Sequence, residues 1–297
     1  MTELTEDLRS LRDWLRYAVS RFNEAQLFFG HGCDNAVDEA AWLILHTLHL
    51  PRDQLDLFLE ARLTHLERGA LHDIIDQRIK KRLPAAYLTH EAWLGGFSFY
   101  VDQRVIVPRS YFAEMLETDL APWIDDPEQV DSALDLCTGS GCLAILMAHA
   151  FPHATIDAVD LSADALAVAA RNVGDYHLEQ RINLVASDLF AGLGGRRYQV
   201  IVCNPPYVSG PAMRQLPPEY KHEPSLALAA GEDGLDLVRR IIDQAYQHLE
   251  PQGLLAVEIG HNRDSVEQAF PRLEFTWVDT PDNEDKIFLL RREQLPS

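Results

Sequence analysis

The segment Asn204-Pro205-Pro206-Tyr207 is where the residue types of this chain point most directly to a reaction. It follows the apolar run Val200-Ile201-Val202-Cys203, the pattern of a buried strand. Two consecutive prolines fix the backbone and leave the carbonyl groups of the segment free to accept from a ligand. A planar NH2 group conjugated to a carbonyl or an aromatic ring is a poor nucleophile, but it carries two N–H donors that the Asn204 side-chain oxygen and the Pro205 carbonyl can receive. Such acceptors would hold the nitrogen in line with an electrophilic methyl group and favour its becoming tetrahedral, with Tyr207 packed on the flat group.

A donor for that methyl needs a site of its own. Asp135-Leu136-Cys137-Thr138-Gly139-Ser140-Gly141-Cys142-Leu143-Ala144 stands where a strand pattern turns into a helical one. Glycines there let backbone N–H groups approach a ligand closely. Alone, such a loop is compatible with a dinucleotide, another adenosine cofactor or no ligand. Asp160 ends the next strand pattern 21 residues after Gly139, the distance at which an acidic side chain takes two ribose hydroxyls. Asp188 ends the strand after that, where it could accept from an adenine amino group. Asp135 argues against a dinucleotide, because a carboxylate at the mouth of the loop is unwelcome beside a pyrophosphate and welcome beside an amino acid's ammonium. S-adenosylmethionine offers that ammonium. No metal is expected: His46 and His49 lie three apart on a helix without a carboxylate or cysteine partner in sequence. Direct displacement needs no cysteine nucleophile, and Cys203 reads as a strand core residue.

Bringing these residues together requires a sheet, and the downstream pattern supplies one. Helix from Ser110, strand 133–136, helix from Cys142, strand 156–159, helix from Ser162, strands 182–186 and 199–203, helix near 235–249 and strand 254–259 alternate as in a parallel doubly wound α/β fold. Residues 275–278 and 286–290 predict an antiparallel end. Upstream, the first 84 residues read as helices, with Leu8, Leu11, Leu15, Ala18, Val19 and Phe22 at helical spacing and a second periodic stretch from Val37 to Leu50. A third helix opens at the capping box Thr64–Glu67 and runs towards Pro84. The basic run Arg78-Ile79-Lys80-Lys81-Arg82 is expected to complement its C-terminus. From Tyr87, Ala92-Trp93-Leu94, Gly95-Gly96, Phe97–Val101 and Val105-Ile106-Val107 predict a hairpin or meander.

Composition narrows the partners. The 297 residues, 47% hydrophobic and 24% charged, are those of an ordinary globular chain of about two domains. The four cysteines show no CxxC pair and are expected to be reduced thiols. Neither a basic N-terminus followed by an apolar stretch nor a bilayer-length run is present, so a cytoplasmic protein without membrane association is expected. Twenty-six Lys and Arg against 46 Asp and Glu give a net charge of −20, of which residues 91–297 carry −17. That field repels a phosphate backbone, disfavours nucleic-acid binding and suits a basic protein partner, although acidity also serves solubility.

The chain resembles the bacterial protein-(glutamine-N(5)) methyltransferases over nearly its whole length. Asn204-Pro205-Pro206-Tyr207-Val208 matches their motif, as do Pro218-Glu219-Tyr220-Lys221-His222-Glu223-Pro224 and Ala229-Ala230-Gly231-Glu232-Asp233-Gly234-Leu235-Asp236. The resemblance implies a seven-stranded Rossmann-like methyltransferase domain over 110–297, a small helical substrate-recognition domain over 1–86 and a connecting β-hairpin over 87–109. It implies transfer of a methyl from S-adenosylmethionine, leaving S-adenosylhomocysteine, to a glutamine side-chain amide. Within the family, Val107-Pro108-Arg109-Ser110 and Asp135-Leu136-Cys137-Thr138 look like the branch acting on large-subunit ribosomal protein L-three, free or in an assembling subunit, rather than on release factors. Carried over, Cys137, Thr138, Gly139, Ser140 and Gly141 line the cofactor beside Asp135, Asp160 holds the ribose, Asp188 and Leu189 flank the adenine, and Asn204 to Tyr207 seat the glutamine. The same reaction on release factors, a nucleobase methyltransferase and a non-enzymatic ribosome assembly factor are the competing readings.

Overall fold

The computed structural model describes residues 6–280 and 283–296. It divides into two compact units: the chain up to Ala92 together with Pro217–His222, and Trp93–Leu216 together with Glu223 onward.

Four helices organise the first unit: α1 (Leu11–Glu24), α2 (Ala36–Thr47), α3 (His65–Lys81) and α4 (Ala85–Thr89). Their starts follow from side-chain acceptors for backbone N–H groups otherwise left without partners. Ser10 and Asp13 form a capping box on α1, Asn35 caps α2, and Thr64 and Glu67 form the expected box on α3. Leu11, Trp14, Phe22, Leu43, Ile44 and Leu71 are fully buried, each contributing about 1.5–3 kcal/mol through its apolar surface. The basic run at the end of α3 departs from expectation. Arg78 is wholly buried, donating to Glu39 Oε1 at 2.6 Å and to the Phe28 carbonyl at 3.0 Å, with Glu219 Oε1 at 3.5 Å. Arg82 lies 3.0 Å from the same Glu219 oxygen and donates to the carbonyls of Ala25 and Gln26. Instead of decorating a helix end, these two cations neutralise buried carboxylates and pin the segment Pro217–His222 to the helices.

Strands β1 (Glu91–Leu94) and β2 (Phe97–Tyr100) form the expected hairpin, turning at Gly95 and Gly96, whose φ values of +55° and +77° glycine adopts without strain. The turn to strands comes later than Tyr87, which lies in α4, and Val105-Ile106-Val107 forms no strand. The reason lies in its hydrogen bonding: the Val107 N–H donates to the buried Glu223 carboxylate rather than to a neighbouring strand.

The second unit is a seven-stranded sheet of β3 (Ser132–Leu136), β4 (Thr155–Asp160), β5 (Ile182–Ala186), β6 (Tyr198–Cys203), β7 (Leu249–Glu258), β8 (Thr276–Thr280) and β9 (Asn283–Arg291). The order is β5-β4-β3-β6-β7-β9-β8, parallel except for β9, which runs antiparallel to both neighbours. Alternation sends Ala133, Ile156, Val200 and Leu254 to one face, against α5 (Phe112–Glu117) and α6 (Cys142–Ala150). Leu134, Val159, Ile201 and Leu255 face the other way, towards α8 (Asp236–His248) and α9 (Arg263–Ala269), while α7 (Ala163–Asp175) follows β4. The helix read from Ser110 begins at Phe112, because the Ser110 hydroxyl is engaged by Glu258. Successive strands run outward from β3 in one direction and from β6 in the other, so the chain leaves their adjacent ends on opposite sides. Such switch points are where doubly wound sheets bind ligands.

Replacing Arg78 by Met would take from buried Glu39 the guanidinium that it binds and leave buried Glu219 paired with Arg82. Urea unfolding should show a loss of about 3–5 kcal/mol. A midpoint within error of wild type would mean that the carboxylates accept protons without cost.

Candidate active site

The site grows from the ends of β3 and β6. Leu136 pairs with Cys203, so Cys137 and Asn204 leave the sheet side by side. Cys137 turns at a φ of +61°, unusual for a residue with a Cβ, and Gly139 (φ +56°) and Gly141 (φ +80°) complete the loop into α6. A Cβ at Gly141 would stand 3.1 Å from that of Ala169, so glycine also permits the close approach of α7. The loop is held by donors and acceptors around it. Thr138 Oγ1 and the Ala144 N–H donate to Asp135 Oδ2 at 2.6 and 3.0 Å, the Gly139 N–H donates to Asp160 Oδ2 at 2.9 Å, and Asn172 Nδ2 donates to the Ser140 carbonyl at 2.8 Å.

A cavity of about 690 Å³ opens beside this loop. Of the residues singled out from sequence, Cys137, Gly139, Asp160, Asp188, Leu189, Asn204 and Pro206 line it. Asp135, Thr138, Ser140, Gly141, Pro205 and Tyr207 do not form part of that lining. Asp135 is fully buried and braces the loop from within; its Oδ1 accepts no hydrogen bond from the described residues. Asp188 forms an exposed ion pair with Arg240 at 2.8 Å, a competitor for any amino group offered to it. Residues that sequence reading did not select also line the cavity, among them Arg104, Val105, Ile106, Leu226 and Arg239.

The donor set fits S-adenosylmethionine. Asp160 Oδ1 accepts from the Ser162 N–H and Oδ2 from Gly139, leaving each oxygen a lone pair for one ribose hydroxyl. Val159, Leu161, Ala165 and Leu189 give an apolar slot for a purine. Asn204 lines the same cavity, and its side-chain amide forms no hydrogen bond among the described residues. The motif after it is clamped: Val208 donates to Leu228 O and accepts from the Ala230 N–H, while Asn262 Nδ2 donates to Tyr207 O at 2.8 Å. These contacts explain the stretch Ala229–Leu235, since a Cβ at Gly234 would come within 2.6 Å of Tyr207 O.

Two carboxylates missed as functional candidates support this arrangement. Glu223 accepts from Val107 N and from both terminal nitrogens of Arg109, and Glu258 accepts from Ser110, Tyr111 and Tyr207. The available signal was a lone acid closing the otherwise apolar run 254–259.

Burial pushes Asp135 up to about 7, against the pull of the hydrogen bonds from Thr138 and Ala144. Its folded-state value thus exceeds the unfolded value of about 4, so its contribution to stability is fully present below about pH 4 and lost as pH rises through 7. Asp135→Asn should therefore flatten the decline in unfolding free energy between pH 5 and pH 8, measured by urea titration at both. An unchanged slope would place the titration elsewhere.

Known proteins resemble this chain along nearly its whole length. A family model described as "PrmC N-terminal domain" matches residues 13–89, and one described as "Methyltransferase small domain" matches residues 119–216. Among solved structures, the hMettl16 catalytic domain in complex with a MAT2A 3'UTR hairpin aligns with a TM-score of 0.51 at 14% identity, covering 76% of this chain and 80% of that one, which supports the fold alone. Three relatives are each named ribosomal protein uL3 glutamine methyltransferase. That of Bordetella pertussis is 59% identical, covering 98% of this chain and 97% of the relative. That of Neisseria meningitidis serogroup A is 57% identical (99% and 96%), and that of Burkholderia pseudomallei 53% (100% and 99%). With more than half of its residues shared along almost its entire length, the chain belongs to the ribosomal protein uL3 glutamine methyltransferase family.

Proposed function

We propose that this protein methylates the side-chain amide nitrogen of a glutamine in ribosomal protein uL3, using S-adenosylmethionine. The observation that carries the reading is the placement of Asn204, with an uncommitted amide, on the wall of the cavity that holds Asp160 and the glycine loop. When bound, S-adenosylmethionine supplies a methyl group on a positively charged sulfur. Asp160 grips the ribose, and the Cys137–Gly139 backbone shapes the seat of the amino-acid end. Asn204 Oδ1 and the Pro205 carbonyl accept the two N–H groups of the glutamine amide, turning its nitrogen lone pair towards the methyl carbon. The nitrogen would take the methyl group, with S-adenosylhomocysteine as the leaving group. The methylated nitrogen is then acidic enough to lose its extra proton to water, so no side chain here needs to act as a base.

The partner fits the charge. Ribosomal proteins are basic, and a chain of net charge −20 attracts such a partner while repelling RNA. A ribosomal substrate would put the reaction in the cytoplasm; no helix among the described residues is long and apolar enough to cross a membrane.

The test incubates the protein with S-adenosylmethionine and, separately, unmodified uL3 and unmodified release factor, then locates methyl groups by peptide mass spectrometry. Methyl on a glutamine of uL3 alone is the expected result; methyl on the release factor alone overturns the substrate assignment. Asn204→Ala should lower kcat by about 10²–10³-fold and leave cofactor affinity within a few fold. A variant that turns over at the wild-type rate removes Asn204 from the reaction.

A further inference from the structure

Glu258 is a charged side chain with 1% exposure, and the transfer step leaves it without a role. It ends β7, one residue past the Cys203–Val257 pair, and so stands level with Asn204 on the neighbouring strand. Its two oxygens divide their partners. Oε2 accepts from Ser110 Oγ at 2.6 Å and from the Tyr111 N–H at 3.1 Å, whereas Oε1 accepts from the Tyr207 hydroxyl at 3.3 Å. One carboxylate thus joins the aromatic ring of the Asn-Pro-Pro-Tyr motif to a different piece of chain.

That piece is fixed at its other end as well. Glu223 accepts from the Val107 N–H at 2.9 Å and forms a two-pronged pair with Arg109 at 2.5 and 2.8 Å. The segment 107–111 is therefore held between two acids, and the residues just before it, Val105 and Ile106, line the cavity. Tyr207 is confined from its remaining sides: Asn262 holds its carbonyl, and a Cβ at Gly260 would come within 2.7 Å of its ring. Within this cage the hydroxyl contact to Glu258 fixes the far end of the ring.

We infer that Glu258 is a positioning residue for methyl transfer: it holds the Tyr207 ring and the Ser110-Tyr111 backbone at a set separation, so that a flat amide lies between the ring and the Asn204 oxygen. This rests on the reading of Tyr207 as the surface on which the glutamine amide packs. A buried carboxylate is costly to keep, and a neutral apolar residue would close the strand more cheaply, which is why a positional role is the economical account.

The contact has a protonation readout. Burial pushes Glu258 up to about 7, against the hydrogen bonds from Ser110, Tyr111 and Tyr207 and the charge of Arg109. The other groups facing it are Cys203 and, through its stacking on Tyr111, Lys286. Tyr207 and Cys203 are both raised by burial and stay neutral across this range. Protonating Glu258 turns one acceptor oxygen into a donor and breaks the arrangement in which it receives all three hydrogens, so the ionised form is the competent one.

The experiment follows steady-state transfer from S-adenosylmethionine to unmodified uL3 between pH 5.5 and 9. Wild-type kcat should fall about tenfold per pH unit below 7. Glu258→Gln should lower kcat at pH 8 by about tenfold or more, leave KM for S-adenosylmethionine within about twofold, and lose the acid limb. Ser110→Ala should give a smaller kcat loss with the limb retained, which separates positioning from misfolding. Wild-type kcat with an intact acid limb in Glu258→Gln overturns the inference. Tyrosine labelled with carbon-13 at the hydroxyl-bearing ring carbon gives a readout independent of substrate. The Tyr207 resonance, recognised by its loss in Tyr207→Phe, should titrate between pH 6 and 8 in wild type and not in Glu258→Gln. A resonance that stays fixed in wild type overturns the inference, while one that titrates in a protein unable to modify uL3 upholds the contact and overturns the proposed substrate.

Discussion

The register of β3 against β6 is the constraint on which the site depends. Pairing Leu136 with Cys203 places Cys137 and Asn204 on neighbouring strand ends, roughly 5 Å apart in the direction of the sheet's hydrogen bonds. Nothing in either loop alone achieves this. The left-handed backbone at Cys137 and Gly139 turns one chain into α6, while Pro205 and Pro206 stop the other from continuing as a strand. Slipping the register by one residue would turn the side chains of one strand to the wrong face, taking either Leu134 or Ile201 out of its core, so the two hydrophobic clusters guard the alignment of the glycine loop with the Asn-Pro-Pro-Tyr motif.

Carboxylates at the strand ends share the work of shaping what lies above that alignment. Asp135, Asp160 and Glu258 close or nearly close β3, β4 and β7, and each is held by backbone N–H groups at the upper edge of the sheet. Their surroundings divide their uses. Asp135 is walled in and braces the loop, Asp160 keeps one lone pair on each oxygen facing the cavity, and Glu258 reaches across to the motif tyrosine. Burial raises all three, as it also raises Glu39 in the helical unit, where the Arg78 guanidinium opposes the shift without cancelling it. Acids kept buried at the strand ends mark where the fold gives up stability for a defined polar surface.

Local signals in the sequence announced most of the elements, and non-local contacts explain the exceptions. All seven sheet strands were legible because each is an apolar run bounded by turn residues, and the cap at Thr64 was legible because the hydroxyl and carboxylate it needs are three residues apart. Val105-Ile106-Val107 has the composition of a strand, but its backbone is engaged by Glu223, 116 residues away from Val107 in sequence. Arg78 reads as a surface cation until Glu39 and Glu219 are brought to it from distances of 39 and 141 residues. In the site, the glycine loop and the Asn-Pro-Pro-Tyr motif were visible as contiguous strings. Glu258 was not, since its meaning comes from Ser110 and Tyr207, both far from it along the chain.

The charge distribution separates two tasks that one field cannot perform together. The chain carries −20 overall, yet the cavity rim holds Arg104, Arg239 and Arg240. Each is matched by an aspartate: Asp102 with Arg104 at 2.6 Å, Asp233 with Arg239, and Asp188 with Arg240 at 2.8 Å. Exposed pairs of this kind add about 0–1 kcal/mol to stability, so their significance lies in the local potential they leave. Arg104 holds the Asp102 carboxyl down at about 2, which keeps that pair ionised and balanced at any physiological pH. Beyond the roughly 8 Å over which physiological salt screens charge, a basic partner meets the acidic surplus as a whole; within it, these pairs hold the arginines of the cavity wall in local balance. Small ligands can then be selected there by shape and hydrogen bonds, while the surplus elsewhere accelerates the encounter with a basic protein.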